Sequence, residues 1–370
     1  MKFRCERDTL VEALGTAGRA VSGRGGMLPV LSGVRAELLG NVLTLTGSDL
    51  DLTITVGAEV RGDTDGASVL PAKLASDVVR ALPSGAVTVE VGTDSTTGDE
   101  ARITADRAEF SLRVTAADEY PKLPPTDAEP VQLEAGEFAR ALRQVTPAAS
   151  TDDNRPIITG VLLTAEEGGL RLVATDSYRL AVRDLAGLSG TLGGRSSVLV
   201  PSRALREVER LLSGADEITL RLGEREAAFE VGTTRITTRL IDGEFPNYRG
   251  LIPASYPNRL VVGREPLLDA IRRVRLLARD ATPVRLEMTA DGLELRAVTQ
   301  DVGQAHESLD AKYEGSELTV AFNPQYLAEG VDVTPGDEVV LETIDALKPA
   351  VLRSTETQEF LYLLMPVRVS

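Results

Sequence analysis

The side chains that could do chemistry in this 370-residue chain are few, and their scarcity narrows the field. His306 is its only histidine and Cys5 its only cysteine. Zinc sites built on Cys and His draw three or four such ligands, so neither a multi-histidine nor a Cys/His site can be assembled. A Ser-His-Asp relay would have to use His306, yet the surrounding GQAHESLD alternates like a solvent-facing strand and holds no nucleophile motif. Cys5 alternates with Phe3 and reads as a small buried hydrophobe. The glycine-rich SGRGGMLP, residues 22–29, lacks the GK[ST] of a phosphate loop and does not link a strand to a helix, so it reads as a connection. Asp49 and Asp176 stand at matching places in similar stretches. Paired carboxylates can serve acid–base work, but an Asp in a turn between two strands is the commoner use. No catalytic residue, metal or cofactor is expected; a carboxylate site assembled from distant residues is the enzyme alternative.

What the chain has in quantity is charge. Its 56 acidic and 40 basic residues give a net charge of −16, which as a sum argues against a nucleic-acid partner. The placement of the charges argues otherwise. Basic residues gather on stretches of helical periodicity: Arg140 and Arg143 on one; Arg203, Arg206 and Arg210 on another; Arg264, Arg272, Arg273, Arg275 and Arg279 around a third. Arg19, Arg24, Lys73 and Arg80 mark the first part of the chain. The acids spread over strands, turns and connections such as GDTDG, GTDSTTGDE and TDAEP. Arg and Lys on a helix face contact phosphates without reading sequence; the plainer alternative is solvated surface charge. If the helices share one face, that face is positive on an acidic protein.

The elements that would position these residues recur three times. LPVLSGV, RPIITGV and TPVRLEM place prolines at 29, 156 and 283, a repeated interval of 127 residues. A strand, an acidic turn and a second strand follow in LTLTGSDLDLTITV, LRLVATDSYRLAV and LELRAVTQDVGQAHESL. Next comes an apolar strand running into a helix, in SVLPAKLASDVV, VLVPSRALREVERLL and LTVAFNPQYLAEGV. Solenoid and propeller units recur at roughly 20–50 residues, so this interval means three tandem, similar domains, placed at 1–125, 126–253 and 254–370. Period-two alternation in Leu43, Leu45 and then Leu50, Leu52, Ile54, Val56 marks strands. Helical spacing marks Leu10, Leu14 and Ala17 within about Asp8 to Ala20, then Phe138, Leu142 and Val145, then Leu267, Ile271, Val274 and Leu277. Second helices are expected near Pro71, Pro201 and Pro324, with Ser202 as an N-cap. Many strands with segregated helices make an α+β chain. No run of about 20 apolar residues could span a membrane, and MKFRCERDTL has no signal-like apolar stretch. A cytoplasmic protein is expected.

MKF, TGSDLDL, VATDSYRLAVR, DGEFPNYR, FNPQYL and the terminal LLMPVRV, taken in order, resemble the bacterial DNA polymerase III beta subunit family, the sliding clamps. The likeness covers essentially the whole chain, and YLLMPVR with the Ala/Arg/Val-rich composition is similar to clamps of high-GC actinobacteria. The resemblance implies the DNA clamp fold: outer antiparallel sheets, helices lining an inner face, and a ring-shaped head-to-tail homodimer. Such a ring holds duplex DNA without sequence preference and tethers the replicative DNA polymerase, the clamp loader and other clamp-binding-motif proteins. Size agrees with two chains. A domain of about 120 residues is equivalent to a sphere roughly 35 Å across, and a planar ring of three such spheres leaves a hole of about 5 Å, four about 14 Å, six about 35 Å. Only six admit a duplex about 20 Å wide.

By position, Arg24 and Arg203 match basic DNA-contacting residues of the family. Composition adds Arg80, Arg140, Arg143, Arg206, Arg210, Arg272 and Arg275 as DNA-facing. The resemblance also implies a partner-peptide pocket between the second and third domains. The second domain would give it Ile158, Thr175, Ser177, Tyr178, Arg179, Leu180 and Pro246. The third would give Asn323, Tyr326, Leu347 and Pro349, with the tail Met365, Pro366, Val367 and Arg368. An apolar cleft rimmed by a few polar groups suits an extended peptide with aliphatic anchors. Ser177-Tyr178 departs from a common Gly-His, and Gly250 stands where an arginine is frequent. At the dimer contact Lys73 and Arg107 would face Asp301 and Glu307, with Leu276 and Leu277 as the apolar part. Two other readings stand beside the clamp: a non-replicative or resistance-associated paralogue, and a β-rich protein-binding scaffold. Basic helix faces favour the clamp over the scaffold.

Overall fold

The computed structural model describes residues 1–21, 28–94, 98–122, 128–166, 168–188, 192, 194–278 and 282–368. Arg24 and Arg279 lie outside them. The chain divides into two compact units, residues 1–135 with 214–239 and residues 136–213 with 240–370. The described residues hold six α-helices: α1 (Arg7–Gly18), α2 (Ala72–Ala81), α3 (Ala135–Val145), α4 (Ser202–Leu211), α5 (Arg264–Val274) and α6 (Pro324–Val333). None is long and apolar enough to cross a membrane.

In the first unit, α1 buries Leu10, Ala13, Leu14 and Ala17, an i, i+3, i+4, i+7 stripe. The stripe packs on α2 and on the strands Val42–Ser48 and Leu52–Glu59. Those strands belong to a nine-stranded antiparallel sheet. Its order runs from Gly66–Pro71 through Gly33–Leu39, Val42–Ser48 and Leu52–Glu59 to Thr234–Arg239, Glu226–Val231, Glu217–Leu222 and Pro130–Glu134, with the short Thr115–Ala116 at the near edge. A second sheet of five strands carries Lys2–Glu6, where Phe3 is buried and Cys5 is half-buried. Burial pushes the Cys5 thiol up to about 11, so it is inert at neutral pH.

The second unit repeats the plan. Gly160–Glu166, Gly169–Thr175 and Arg179–Ala186 are followed by Phe360–Leu364, Ala350–Ser354, Glu338–Thr343 and Asn258–Gly263, with Ser197–Pro201 and Ala311–Glu314 at the edges. A four-stranded sheet ends on Gly303–Leu309. In each nine-stranded sheet the strand after the acidic turn pairs with the last strand of the following repeat. Leu52–Glu59 takes Thr234–Arg239, and Arg179–Ala186 takes Phe360–Leu364.

Two expectations need correction. Pro201, not Ser202, occupies the N-cap of α4; Ser202 is its first helical residue, and its hydroxyl accepts from Arg206 at 3.1 Å. The third proline is also out of register. The hairpins close at Leu39/Val42, Glu166/Gly169 and Thr289/Gly292, so the second interval is 123 residues (289 − 166) where the first is 127 (166 − 39). The prolines at 29 and 156 open 3₁₀ turns, whereas Pro283 leads directly into the strand Val284–Thr289.

Candidate functional site

The acidic turn of the second unit is held by its own side chains. The Asp176 carboxylate accepts from the amides of Tyr178 (2.9 Å) and Arg179 (3.0 Å), and the Thr175 hydroxyl donates to the Arg179 carbonyl at 2.6 Å. Ser177 sits at φ +81°, in the left-handed region that few non-glycine residues enter. The reversal points the buried Arg179 side chain into a polar knot. Its guanidinium donates to Asp176 (3.0 Å), to Glu329 on α6, to the Tyr362 hydroxyl (3.1 Å) and to the Pro147 carbonyl (2.6 Å), and lies 4.2 Å over the Tyr326 ring. Burial alone would lower the Arg179 guanidinium; Tyr362 and Glu329 outweigh it and hold the charge. Tyr362 in turn donates to the Tyr326 carbonyl at 3.1 Å.

Beside this knot lies an apolar floor. Val173, Leu180, Val182, Val351, Leu361 and Leu363 form one buried cluster with Tyr248, and Phe245, Ile252 and Tyr256 pack on it. The C-terminal segment then runs along its margin, with Met365 N–H donating to the Tyr178 carbonyl (2.9 Å) and Val367 N–H to the Ala321 carbonyl (2.8 Å). Tyr178, Leu347, Met365 and Val367 leave large apolar surface exposed there, Leu347 as much as 63%. A cleft of about 740 Å³ opens on the polar side, lined by Tyr178, Arg179 and Tyr326 together with Asp152, Arg155, Arg206 and Glu329.

The second unit thus brings most of the expected pocket residues to two adjoining surfaces. Thr175, Leu180 and Ile158 are buried beneath them. Asn323 is occupied in capping α6, accepting from the amides of Gln325 (2.9 Å) and Tyr326 (3.2 Å). Pro246 and Arg368 are exposed, and Pro349 and Pro366 half-buried. Sequence reasoning missed Glu329, Tyr362, Leu361 and Leu363. It also missed Arg155, which bridges Asp152 (2.8 Å) and the Ser177 hydroxyl (3.2 Å). The continuous apolar run FLYLL was the available signal for the leucines.

The basic helices are solvated but not bare. Arg140 is paired with Glu137 and Arg210 with Glu207, each within one helical turn. Arg272 meets Asp269 and Asp332, both at 3.5 Å. Arg80, Arg143, Arg203 and Arg275 are exposed, and Arg206 is half-buried. Arg143, Arg206 and Arg210 converge on Glu209, whose carboxyl burial raises despite their pull. Helix α6 breaks the pattern: it has no basic residue and carries Glu329 and Asp332.

Of the expected dimer-contact residues, Lys73, Arg107, Asp301 and Leu276 are exposed and Leu277 is half-buried. Glu307 is engaged within its own chain by Arg273, at 3.0 and 3.1 Å. Ala108–Arg113 and Gly303–Leu309 are free edges of their respective sheets, with Phe110 and Val298 exposed near them, and neither was anticipated. His306 lies on the second edge, 3.1 Å from Glu294. Among the described residues no group of three or more His, Cys, Asp or Glu could hold a metal ion.

Three family models match in chain order: the N-terminal domain of the DNA polymerase III beta subunit over residues 1–124, its central domain over 132–247 and its C-terminal domain over 249–368. The beta sliding clamp of Streptomyces coelicolor is 34% identical over the whole of both chains. The beta sliding clamp homolog GriR of Streptomyces muensis is 32% identical over 90% of this chain and 88% of its own. Among solved structures, the sliding clamp of Bartonella birtlesii bound to griselimycin superposes with a TM-score of 0.91 at 31% identity, over all of both chains. A helix-and-sheet unit repeated three times, a basic set of helices and a full-length match together establish that the chain belongs to the DNA polymerase III beta subunit family, the beta sliding clamps.

Proposed function

We propose that two copies of this chain close head to tail into a ring that encircles duplex DNA, slides along it and keeps a replicative polymerase attached. The grip is topological, so high affinity for DNA is unnecessary. Arginines of α3, α4 and α5, with Arg80 of α2, give weak, salt-sensitive contact to phosphates. The clustering of exposed arginines on helices of a chain with net charge −16 is the observation that carries this reading. The ion pairs to Glu137, Glu207 and Asp269 moderate that contact, as sliding requires. Polymerase, clamp loader and other partners dock short peptide segments on the exposed apolar surface of Tyr178, Leu347, Met365 and Val367, which the buried floor of Leu180 and Leu363 supports, and on the adjoining cleft. Three domains, at 1–125, 126–253 and 254–370, supply half a ring per chain. The protein acts in the cytoplasm and without catalysis of its own. Identity to the S. coelicolor clamp over the full length favours the replicative role over a paralogue.

The purified chain should run as a dimer of twice 39.5 kDa. Loaded onto nicked circular DNA, it should be retained, and it should slide off once the circle is linearised. A monomer, or equal retention on both, would refute the ring.

A further inference from the structure

We propose that the first unit holds a second peptide cleft of different chemistry, one that takes an extended segment bearing carboxylate side chains. A cleft of about 700 Å³ opens within that unit, in the size range of built ligand sites. It lies on the same backbone frame as the apolar strip of the second unit. Asp49 accepts from the amides of Asp51 (3.1 Å) and Leu52 (2.8 Å), as Asp176 does from its own turn. Leu50 holds φ +79° where Ser177 holds +81°. Arg239 N–H donates to the Asp51 carbonyl at 3.0 Å, the counterpart of Met365 to Tyr178. Across the paired strands, Thr237 opposes Thr53 and Arg235 opposes Thr55, where Leu363 opposes Leu180 and Leu361 opposes Val182.

The frame is kept and its lining is exchanged. Each aliphatic pair of the second unit becomes Thr–Thr or Arg–Thr in the first. A leucine placed there would strip water from hydroxyls and guanidinium groups without replacing their hydrogen bonds, which is unfavourable. A carboxylate accepts from both, and from an arginine fork in two parallel bonds. The cleft wall carries Arg35, Lys122, Arg235 and Arg239 against Asp51, Asp118 and Glu226. Arg35 is fixed by Glu37 at 2.8 and 3.2 Å and Arg235 is held by Glu230 at 3.5 Å, whereas Arg239 meets Asp51 only at 3.8 Å with both side chains largely exposed. That looser pair can open to an incoming carboxylate. Selection must be local, since the whole chain is acidic and exposed charges beyond roughly 8 Å are screened at physiological salt. That the frame suits an extended peptide rests on the reading of the second-unit cleft given above.

The test uses a labelled, capped octapeptide of alternating glutamate and serine, with glutamine-for-glutamate and leucine-for-glutamate versions, titrated against the full chain by fluorescence anisotropy. The glutamate peptide should bind at least tenfold tighter than the glutamine one. Arg235→Gln with Arg239→Gln should erase that preference, and should leave leucine-peptide binding unchanged. Arg235→Lys with Arg239→Lys, a milder change that preserves charge, should retain part of it. No preference for glutamate, or a preference that survives the glutamine substitutions, overturns the proposal. Failure of the leucine peptide to bind overturns the reading of the second-unit cleft instead, so the two failures are separable.

Discussion

At Asp49 and at Asp176 a carboxylate gathers two backbone amides, and the next residue takes the same left-handed conformation. Three residues beyond each aspartate the likeness ends. Leu52 is buried in the first unit as an apolar side chain, while Arg179 is buried in the second as the centre of a polar knot. The contrast reverses on the neighbouring positions, where the first unit pairs Thr53 with Thr237 and the second, in the matching register, pairs Leu180 with Leu363. Backbone hydrogen bonding and turn geometry fix the frame, and they are indifferent to most side chains. The lining is therefore free to diverge, so that one frame carries an aliphatic floor beside the buried Arg179 and the other a hydroxyl-rich wall beside the exposed Arg239.

This comparison can be broken at several points. The largest effect belongs to Arg179→Ala, which strands Asp176 and Glu329 and should cost about 3–5 kcal/mol in urea unfolding. At the matching position Leu52→Ala should cost about 2–4 kcal/mol through lost packing, with little dependence on salt. A cost below about 1 kcal/mol for Arg179→Ala would mean that the knot contributes little. Next, Asp176→Ala should destabilise by about 2–3 kcal/mol, since buried charge-assisted bonds are lost, and Asp49→Ala by about 1 kcal/mol. Equal values would erase the distinction between the turns. Leu180→Thr with Leu363→Thr imports the lining of the first unit into the second. It should weaken leucine-peptide binding at least tenfold, about 1.4 kcal/mol, in anisotropy titrations.

The smallest effect is the pH dependence contributed by one ion pair of the first unit. Hydrogen bonds from Arg35 hold the Glu37 carboxyl below its ordinary value of 4.5. A carboxylate whose folded pKa is depressed adds stability above the unfolded value and loses it as pH falls through the folded one. With Glu37 partly exposed, solvent screening keeps the contribution under about 1 kcal/mol. Glu37→Gln should accordingly lose slightly less stability than the parent chain between pH 7 and pH 3; an identical loss would show the pair to be inconsequential.

Much of the frame was legible in the chain. TGSDLDL and VATDSY announce an Asp turn between strands, and Leu10, Leu14 and Ala17 fall on the buried side of α1 as their spacing predicts. The pairing of Leu52–Glu59 with Thr234–Arg239 was not legible, because alternation reveals a strand's two faces but not which distant strand it joins. Pro283 misled for a related reason: one residue type can recur by chance, whereas hairpin register is set by every pair along two strands. Tyr178, Arg179, Leu180 and the tail were found by family resemblance, and Leu361 and Leu363 of the floor beneath them by neither route. Thr53 and Thr55 alternate with Leu52, Ile54 and Val56, and only their pairing with Thr237 and Arg235 makes them a lining.

The central claim is that one frame carries two different linings, of which the aliphatic one takes apolar peptide anchors. A crystal structure of the full chain with the alternating leucine–serine peptide tests it most directly. The account predicts peptide along Tyr178, Leu347 and Met365, over the floor of Leu180 and Leu363 in the second unit, and none between Thr53 and Thr237 of the first. Peptide seated between Thr53 and Thr237, with the leucine floor empty, would contradict it.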